Sequence, residues 1–323
     1  MDWLHFIVFT LIVFVFVITG VLFFIWYERR GLGRLQLRPG PNRAGPFGLL
    51  QPLADAIKVL LKEDIVPALA DKPVHFLAPL VAFVPAIAVF AVIPFGDGAL
   101  LADLNIGILY VVAVSSVATL GVFMAGWGSS NKYSLLGAMR NVAAVVSYEM
   151  PLVLAIASVV LIAGSLSLNQ IVQTQDIPFI LLQPLGFLIF FLAGCAEINR
   201  SPFDLLEADS EIVAGFHTEY SGMKWSVFFL AEYAYVLLGS FLLATFFLGG
   251  GGSPLPWTPF TLVPSWVWML AKAMLMMFVF LWVRWTLPRL RVDQLMDVNW
   301  KFLLPWSFAN IALAGLYLAF WLK

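Results

Sequence analysis

The sequence has few charged residues and almost no cysteine. Its 18 basic and 19 acidic residues make up 11% of the 323 residues, whereas charged residues form about 25% of an ordinary soluble domain. This deficit excludes a soluble globular enzyme, and a net charge of −1 excludes a nucleic-acid-binding protein, which needs a basic surplus. The single cysteine, Cys195, excludes an intrachain disulfide framework and a self-contained iron–sulfur cluster, which takes several cysteine ligands.

Cofactor-binding patterns are also missing. No GxGxxG follows a strand and opens a helix, and no Walker A sequence occurs. The three histidines, His5, His75 and His217, form no pair at helical spacing, which argues against haem ligation. We therefore expect no bound flavin, haem, iron–sulfur cluster or metal in this chain.

What the sequence does contain is long apolar runs. Apolar residues make up 62% of the chain, and about 20 consecutive apolar residues are needed to span a bilayer as a helix. Eight stretches qualify: 4–27, 74–95, 106–127, 141–164, 178–196, 225–248, 264–286 and 303–322. The pattern predicts an all-α polytopic membrane protein with eight transmembrane helices plus cytoplasmic amphipathic helices, forming a single integral membrane domain over 1–323.

The basic residues indicate the orientation of these helices. Sixteen of the 18 lie in or at the edges of alternate loops, and the loops 96–105, 165–177 and 249–263 contain none. Because basic loops stay on the cytoplasmic side, we expect both termini on the outer, periplasmic side and long cytoplasmic loops at 28–73 and 197–224. No basic residue precedes the first apolar run, so we expect that run to be a retained helix rather than a signal peptide.

The first long loop contains a breaker-rich segment followed by an amphipathic one. Prolines and glycines in 34–48 prevent a continuous helix there. Residues 49–63 place Leu49, Leu53, Ile57, Leu60 and Leu61 on one helical face and polar residues on the other. The spacing predicts a helix of about four turns lying at the membrane interface, either as a simple anchor or as a functional surface.

Three ionisable residues stand out deep inside predicted spans: Glu149, Glu232 and Lys272. Such residues are costly in a membrane and usually mark ion or proton pathways. Glu149 lies about 13 Å beyond Arg140 along its helix and is followed by Pro151. We interpret the three as proton-relay candidates, the alternative being a structural ion pair between Glu232 and Lys272.

The segment 196–225 concentrates acidic residues among apolar ones. Its carboxylates are Glu197, Asp204, Glu207, Asp209, Glu211 and Glu219. A solvated loop contains few apolar groups, so this segment is predicted to be partly buried, with its carboxylates sharing protons. A solvated cytoplasmic face is the alternative.

Long motifs in these segments resemble a known family. They are YERRGLGRLQLRPGPNRAGPFGLLQPLADAIKVLLKE (27–63), KYSLLGAMR (132–140), SYEMP (147–151), AEINRSPFDLLEADSEIVAGFHTEYSGMKW (196–225) and LWVRWTLPRLRVDQLM (281–296). The chain resembles the H-subunit family of bacterial NADH–quinone oxidoreductase, respiratory complex I, whose mitochondrial counterpart is NADH dehydrogenase subunit 1. At position 209 that family often has Glu, and Asp209 keeps the charge with a shorter reach.

The resemblance implies a subunit of a proton-translocating enzyme in the bacterial plasma membrane, with ubiquinone or menaquinone as substrate. Its partners would be the peripheral iron–sulfur and quinone-site subunits of the hydrophilic arm and the small and antiporter-like membrane subunits. The quinone would enter between span 1, span 6 and the 49–63 helix. The residues that match positions near the quinone chamber are Glu28, Arg29, Arg38, Asp55, Phe216, Arg284, Arg289 and Arg291.

The same resemblance implies that Glu149 and Glu232 connect the chamber to the membrane arm, with the carboxylates of 196–225 at its start. Three other interpretations stay open at this point. One is an equivalent subunit of a membrane hydrogenase or of a ferredoxin- or F420H2-linked dehydrogenase. Another is a stand-alone secondary transporter, although no internal repeat is present. A purely structural membrane anchor is the third.

Overall fold

A computed structural model describes residues 3–96, 98–200, 202–204, 213–254 and 262–321. These residues form helices, turns and irregular connections, and none of them lies in a β-strand. An all-helical chain is what a bilayer favours, because each helix satisfies its backbone hydrogen bonds internally.

The principal helices follow the apolar runs. Their bounds are α1 Trp3–Leu35, α2 Gln51–Leu60, α3 Lys72–Ala88, α4 Gly107–Gly128, α5 Lys132–Ala163, α6 Leu168–Thr174, α7 Phe179–Leu182, α8 Pro184–Glu197, α9 Gly222–Phe247, α10 Ser265–Thr286, α11 Val292–Asp297 and α12 Leu304–Trp321. Short 3-10 segments lie at Pro46–Gly48, Val89–Val92 and Gly215–His217, and a π-helical turn, Val298–Leu303, joins α11 to α12.

Seven helical segments within the described residues are long and apolar enough to cross a membrane. They are Ile7–Leu35, Lys72–Val92, Gly107–Gly128, Lys132–Ala163, Gly222–Phe247, Ser265–Thr286 and Val292–Phe320. The predicted fifth span, 178–196, is divided at Gln183 into α7 and the 14-residue α8. At 1.5 Å per residue α8 is about 21 Å long, shorter than the hydrocarbon core of about 30 Å. The polytopic helical class is confirmed, while the count of eight spans stays a prediction.

Several helices are longer than the apolar runs that predicted them. Helix α1 continues through Gly31 and Gly33 to Leu35, α5 begins at Lys132 instead of near 141, and the last helical segment begins at Val292 instead of near 303. Polar residues continue these helices because a helix needs apolar side chains only where it meets lipid. The predicted helix at 49–63 exists but is shorter, from Gln51 to Leu60.

By its internal contacts the chain divides into two compact units. The first comprises Met1–Ala88, Val117–Val142 and Leu206–Leu237, and the second comprises Val89–Ser116, Ala143–Leu205 and Leu238–Lys323. Each unit contains some of the predicted functional residues.

Candidate functional site

In the first unit, the segment after α1 folds back onto the end of that helix. The Phe47 carbonyl accepts hydrogen bonds from the Trp26 indole N–H at 3.1 Å and from Arg30 at 2.5 Å. The Arg30 guanidinium also lies over the Phe47 ring, 5.0 Å from its centroid, where a cation–π attraction adds to the hydrogen bond. Gly48 has φ +77°, and a Cβ there would collide with the Pro41 carbonyl oxygen. The breaker-rich sequence therefore forms a defined loop.

This loop leads to α2, which contacts α1 through charged residues. Arg29 Nη1 lies 2.5 Å from Asp55 Oδ2, and Gln51 and Lys58 donate to Asp55 Oδ1 at 3.1 and 3.3 Å. Partial burial alone would raise the pKa of Asp55, but the hydrogen bonds from Arg29, Gln51 and Lys58 outweigh it and hold the pKa below its usual value. Asp55 is therefore an anion at neutral pH, and it holds the Arg29 side chain in one orientation.

The amphipathic character predicted for α2 is also present. Leu49, Leu53, Ile57, Leu60 and Leu61 are exposed on the protein surface. A helix that exposes an apolar face beside basic residues suits the boundary between lipid headgroups and acyl chains.

Glu28, the residue before Arg29, points into the protein. Its side chain is only 7% exposed, and the Tyr233 hydroxyl of α9 donates to Glu28 Oε2 at 2.6 Å. The Tyr233 ring meets Phe24 of α1 edge-on, with centroids 5.4 Å apart. Helix α9 therefore contacts the same end of α1 that contacts α2, and Glu28, Arg29 and Asp55 are brought into one region.

Aromatic side chains extend from Tyr233 toward the start of α9. The ring centroids of Phe229 and Tyr233 are 4.9 Å apart, and Trp225 stacks on Phe229 with centroids 5.2 Å apart. Phe216 and Tyr220, in the segment before α9, both pack edge-on against Phe228, at 5.1 and 5.0 Å. Phe228 and Tyr233 are buried and Trp225 and Phe229 are half-buried, so this half of α9 carries a row of flat aromatic rings that leads to Glu28 of α1.

The described end of the acidic segment is held in place by polar contacts. Asn131 donates to Glu219 Oε1 at 2.6 Å, and the Ser134 hydroxyl donates to the Phe216 carbonyl at 2.7 Å. The Tyr220 ring stacks on His75 with centroids 4.0 Å apart, and burial raises the pKa of the Tyr220 hydroxyl. Phe203, Phe216 and Tyr220 are buried, so the described parts of the segment are partly buried, as predicted.

Three of the described carboxylates predicted for the relay belong to the second unit. Glu149 is half-buried in α5, and Glu197, the last residue of α8, is half-buried as well. Asp204 is half-buried in the short described stretch that follows Pro202. Glu232, on α9 in the first unit, is half-buried one residue before Tyr233. Glu207, Asp209 and Glu211 lie outside the described residues.

Lys272 lies in a different setting from the carboxylates. Its ammonium group donates to the carbonyls of Leu248, Gly250 and Gly252 at 2.6, 2.9 and 2.6 Å. An ammonium has three donors, so these carbonyls at the end of α9 satisfy all of them. The geometry favours a structural role in which Lys272 caps the turn after α9. The glycine-rich sequence of this turn did not suggest that its carbonyls would be the partners of Lys272.

Most of the basic residues predicted for the quinone chamber lie on the protein surface. Arg38 is exposed and donates to Gln36 at 2.7 Å, and Arg289 is exposed. Arg291 is exposed and pairs with Asp293 at 3.1 Å, while Arg284 is half-buried at the end of α10. Among the residues that the structure describes, no three His, Cys, Asp or Glu side chains are grouped to hold a metal ion.

Sequence reasoning missed three residues that the structure places with the predicted ones. Tyr233 binds Glu28, His75 stacks on Tyr220, and Asn131 binds Glu219. Tyr233 follows Glu232 in a predicted span, and a polar hydroxyl inside a span is the sequence feature that could have pointed to it. Nothing in the sequence shows which residue each of them contacts.

Comparisons with known proteins show which family this chain resembles. The profile of the NADH dehydrogenase family matches residues 8–315. The NADH-quinone oxidoreductase H subunit from Dehalococcoides mccartyi (strain CBDB1) is 63% identical over 97% of this chain and 87% of its own length. The H subunits of Carboxydothermus hydrogenoformans and Bacillus cytotoxicus are 49% and 48% identical, over 94% and 98% of this chain and 86% and 95% of their own lengths.

Proposed function

The chain belongs to the NADH dehydrogenase family, in the branch formed by the H subunits of NADH-quinone oxidoreductase, and on that premise we propose that it forms the quinone entrance and part of the quinone chamber wall of respiratory complex I. It is a membrane subunit of an enzyme complex, with ubiquinone or menaquinone as the substrate. It works with the peripheral subunits that carry the iron–sulfur clusters and with the small and antiporter-like membrane subunits.

One observation carries this proposal: the end of α1 contacts both α2 and α9. Span 1, span 6 and the interfacial helix are the elements between which the entrance is expected, and Arg29–Asp55 and Glu28–Tyr233 join them in one unit. The apolar face of α2 suits an isoprenoid tail arriving from the bilayer. The aromatic side chains of α9 suit a flat quinone ring.

The charged residues at the end of α1 could stabilise the charge that develops during quinone reduction. Reduction of a quinone takes up two electrons and two protons, so negative charge develops on its oxygens before protonation is complete. Arg29 would balance that charge, and the resemblance to the family assigns Arg38, Arg284, Arg289 and Arg291 to the basic groups of the chamber. Because Asp55 is ionised and paired at neutral pH, its first role is to orient Arg29, and it would take a proton only if that pair opened.

The carboxylates would carry the effect of quinone reduction away from the chamber. We place Glu28, Glu219 and the acidic segment at the start of this path, and Glu149, Glu197 and Glu232 further along it. The half-buried positions of Glu149, Glu197 and Glu232 support such a role, because ionisable residues placed in membrane spans usually mark proton pathways. Lys272 is the weakest member of the proposed relay, since its donors are engaged by carbonyls.

The proposal includes the placement of the whole chain. It would act as one integral domain of the bacterial inner membrane, with eight crossings, α8 being the short one. The long loops at 28–73 and 197–224 would face the cytoplasm, and the termini would face the periplasm. Accessibility labelling of single introduced cysteines in intact cells and in inverted vesicles tests this orientation.

Photolabelling of the intact complex tests the entrance itself. A photoreactive quinone analogue is added to the purified complex, and the labelled peptides of this chain are identified by mass spectrometry. The proposal expects labels within 28–62 or 213–237, competed away by excess quinone. Labels confined to 106–127 and 303–322 would refute the entrance.

A further inference from the structure

The turn of α5 that carries Glu149 has a gap in its backbone hydrogen bonds. In an α-helix the carbonyl of residue 147 accepts from the N–H of residue 151. Residue 151 is proline, which has no N–H, and it lies inside α5. The Ser147 carbonyl therefore has no donor at that position of its own helix.

A side chain from another helix supplies the missing donor. Asn299 Nδ2 donates to the Ser147 carbonyl oxygen at 2.6 Å, and Asn299 is only 1% exposed. A carbonyl oxygen can only accept, so the amide group that faces it must be the NH₂. Both residues belong to the second unit.

The backbone around Asn299 is unusual in a way that fits this contact. Asn299 lies in the π-helical turn Val298–Leu303, in which the Leu304 N–H binds the Asn299 carbonyl. π-Helical turns occur mostly as single turns within α-helices and frequently at functional sites. A second contact lies next to the first, because the Tyr148 hydroxyl donates to the Leu295 carbonyl at 2.8 Å. Residues 147 and 148 are therefore both held by the segment 295–299.

We propose that Asn299 is the positioning residue for Glu149: its amide replaces the donor that Pro151 lacks and so fixes the turn 147–151 that carries the carboxylate. This inference rests on the proposed relay role of Glu149. A proton donor and its acceptor must lie within hydrogen-bond reach, about 2.6–3.2 Å or through one water. A turn with an unpaired carbonyl would hold the carboxylate less firmly in such a position.

A double-mutant cycle tests the proposal, because Pro151→Ala restores the backbone N–H that Asn299 replaces. Complexes containing Asn299→Leu, Pro151→Ala and both substitutions are compared for assembly yield and for protons pumped per electron pair in vesicles. A buried carbonyl left without a donor disfavours the native arrangement by roughly tenfold. We expect Asn299→Leu to lower both quantities, and the double variant to recover most of the loss.

Asn310→Leu is the matched control. Asn310 is also buried, in α12, and it donates to a side chain of α5, the Ser158 hydroxyl, at 2.7 Å. Its partner is not a carbonyl that a proline leaves unpaired, so Pro151→Ala should give Asn310→Leu no recovery. Recovery of both asparagine variants would mean that Pro151→Ala stabilises α5 in general, and it would overturn the proposal.

The remaining outcomes are also decisive. The proposal would be overturned if Asn299→Leu lowered assembly yield and pumping equally with and without Pro151→Ala. Failure of both variants to assemble would count as the same result. Asn299→Leu complexes that assemble poorly but pump normally would reduce Asn299 to a packing residue and would overturn its positioning role. Normal pumping by Glu149→Gln would refute the relay instead, and the recovery of assembly by Pro151→Ala would still identify Asn299 as the replacement donor.

Discussion

The Tyr233 hydroxyl donates a 2.6 Å hydrogen bond to Glu28, although the two residues are 205 positions apart in the chain. The bond is buried, so its loss would leave a carboxylate facing an apolar ring. This buried hydrogen bond joins α1 to α9 where the quinone is proposed to enter.

Tyr233→Phe should impair quinone reduction. The substitution keeps the ring but removes the donor to Glu28, which costs about 1.5–3 kcal/mol for a hydrogen bond to a charged group. We expect a higher KM for quinone, a lower kcat/KM, or both, in complexes that still assemble. Steady-state quinone reductase assays measure this. Tyr133→Phe, at an exposed position of α5, is the control and should behave as wild type; equal kinetics for both variants would contradict the role of the Glu28–Tyr233 contact.

Asp55→Asn should lower the rate of quinone reduction without changing its pH dependence near neutrality. The pKa of Asp55 is held below its usual value of 3.8. The stabilisation from the Arg29 pair is therefore present above that value and is lost only as the pH falls through the lowered pKa. Because both side chains are partly exposed, the pair contributes at most about 1 kcal/mol to stability, and assembly should be near normal.

The control for Asp55→Asn is Asp103→Asn. Asp103 is exposed and accepts hydrogen bonds from Ser167 and Asn169 at 3.1 and 3.3 Å, in a loop that has no proposed role. Rates should be unchanged in this variant. If Asp55→Asn instead removed a titration step near neutral pH, Asp55 would be a proton acceptor and the role assigned to it would be wrong.

Glu149→Gln should reduce proton pumping more than quinone binding. The amide has nearly the same shape but cannot be deprotonated, so a relay through this position stops while the packing of α5 is kept. The number of protons pumped per electron pair in reconstituted vesicles is the measurement, with Glu63→Gln, at an exposed position beyond α2, as the control. Normal pumping by assembled Glu149→Gln complexes would exclude the relay role.

Lys272→Met should lower assembly and leave the pumping ratio of the surviving complexes intact. The methionine fills a similar volume but leaves the carbonyls of Leu248, Gly250 and Gly252 without their donor. Blue native electrophoresis reports assembly, and the pumping ratio is measured as for Glu149. Normal assembly combined with lost pumping would reverse the assignment and return Lys272 to the relay.

Glu232→Gln separates the two interpretations that the sequence left open for Glu232. As a relay residue it should lose pumping in assembled complexes. As a structural residue it should lose assembly and keep the pumping ratio. The same two measurements distinguish these results.

The sequence predicts the spans and the partly buried acidic segment because both depend on local composition. It underestimates the length of α1, α5 and the last helical segment, because residues 28–35, 132–140 and 292–302 are helical without being uniformly apolar. It places Glu28, Arg29 and Asp55 in one loop region but cannot predict that Tyr233 binds Glu28. Hydropathy likewise carries no information about the carbonyl partners of Lys272 or about the contact between Asn299 and Ser147, which depend on how distant segments pack.

A density map of the intact complex with bound quinone tests the proposed entrance. We expect a quinone headgroup or tail in contact with side chains of residues 28–62 and 213–237, with Arg29 held by Asp55 and Tyr233 on Glu28. A quinone bound elsewhere in the complex, with these two segments covered by lipid or by other subunits, would contradict it.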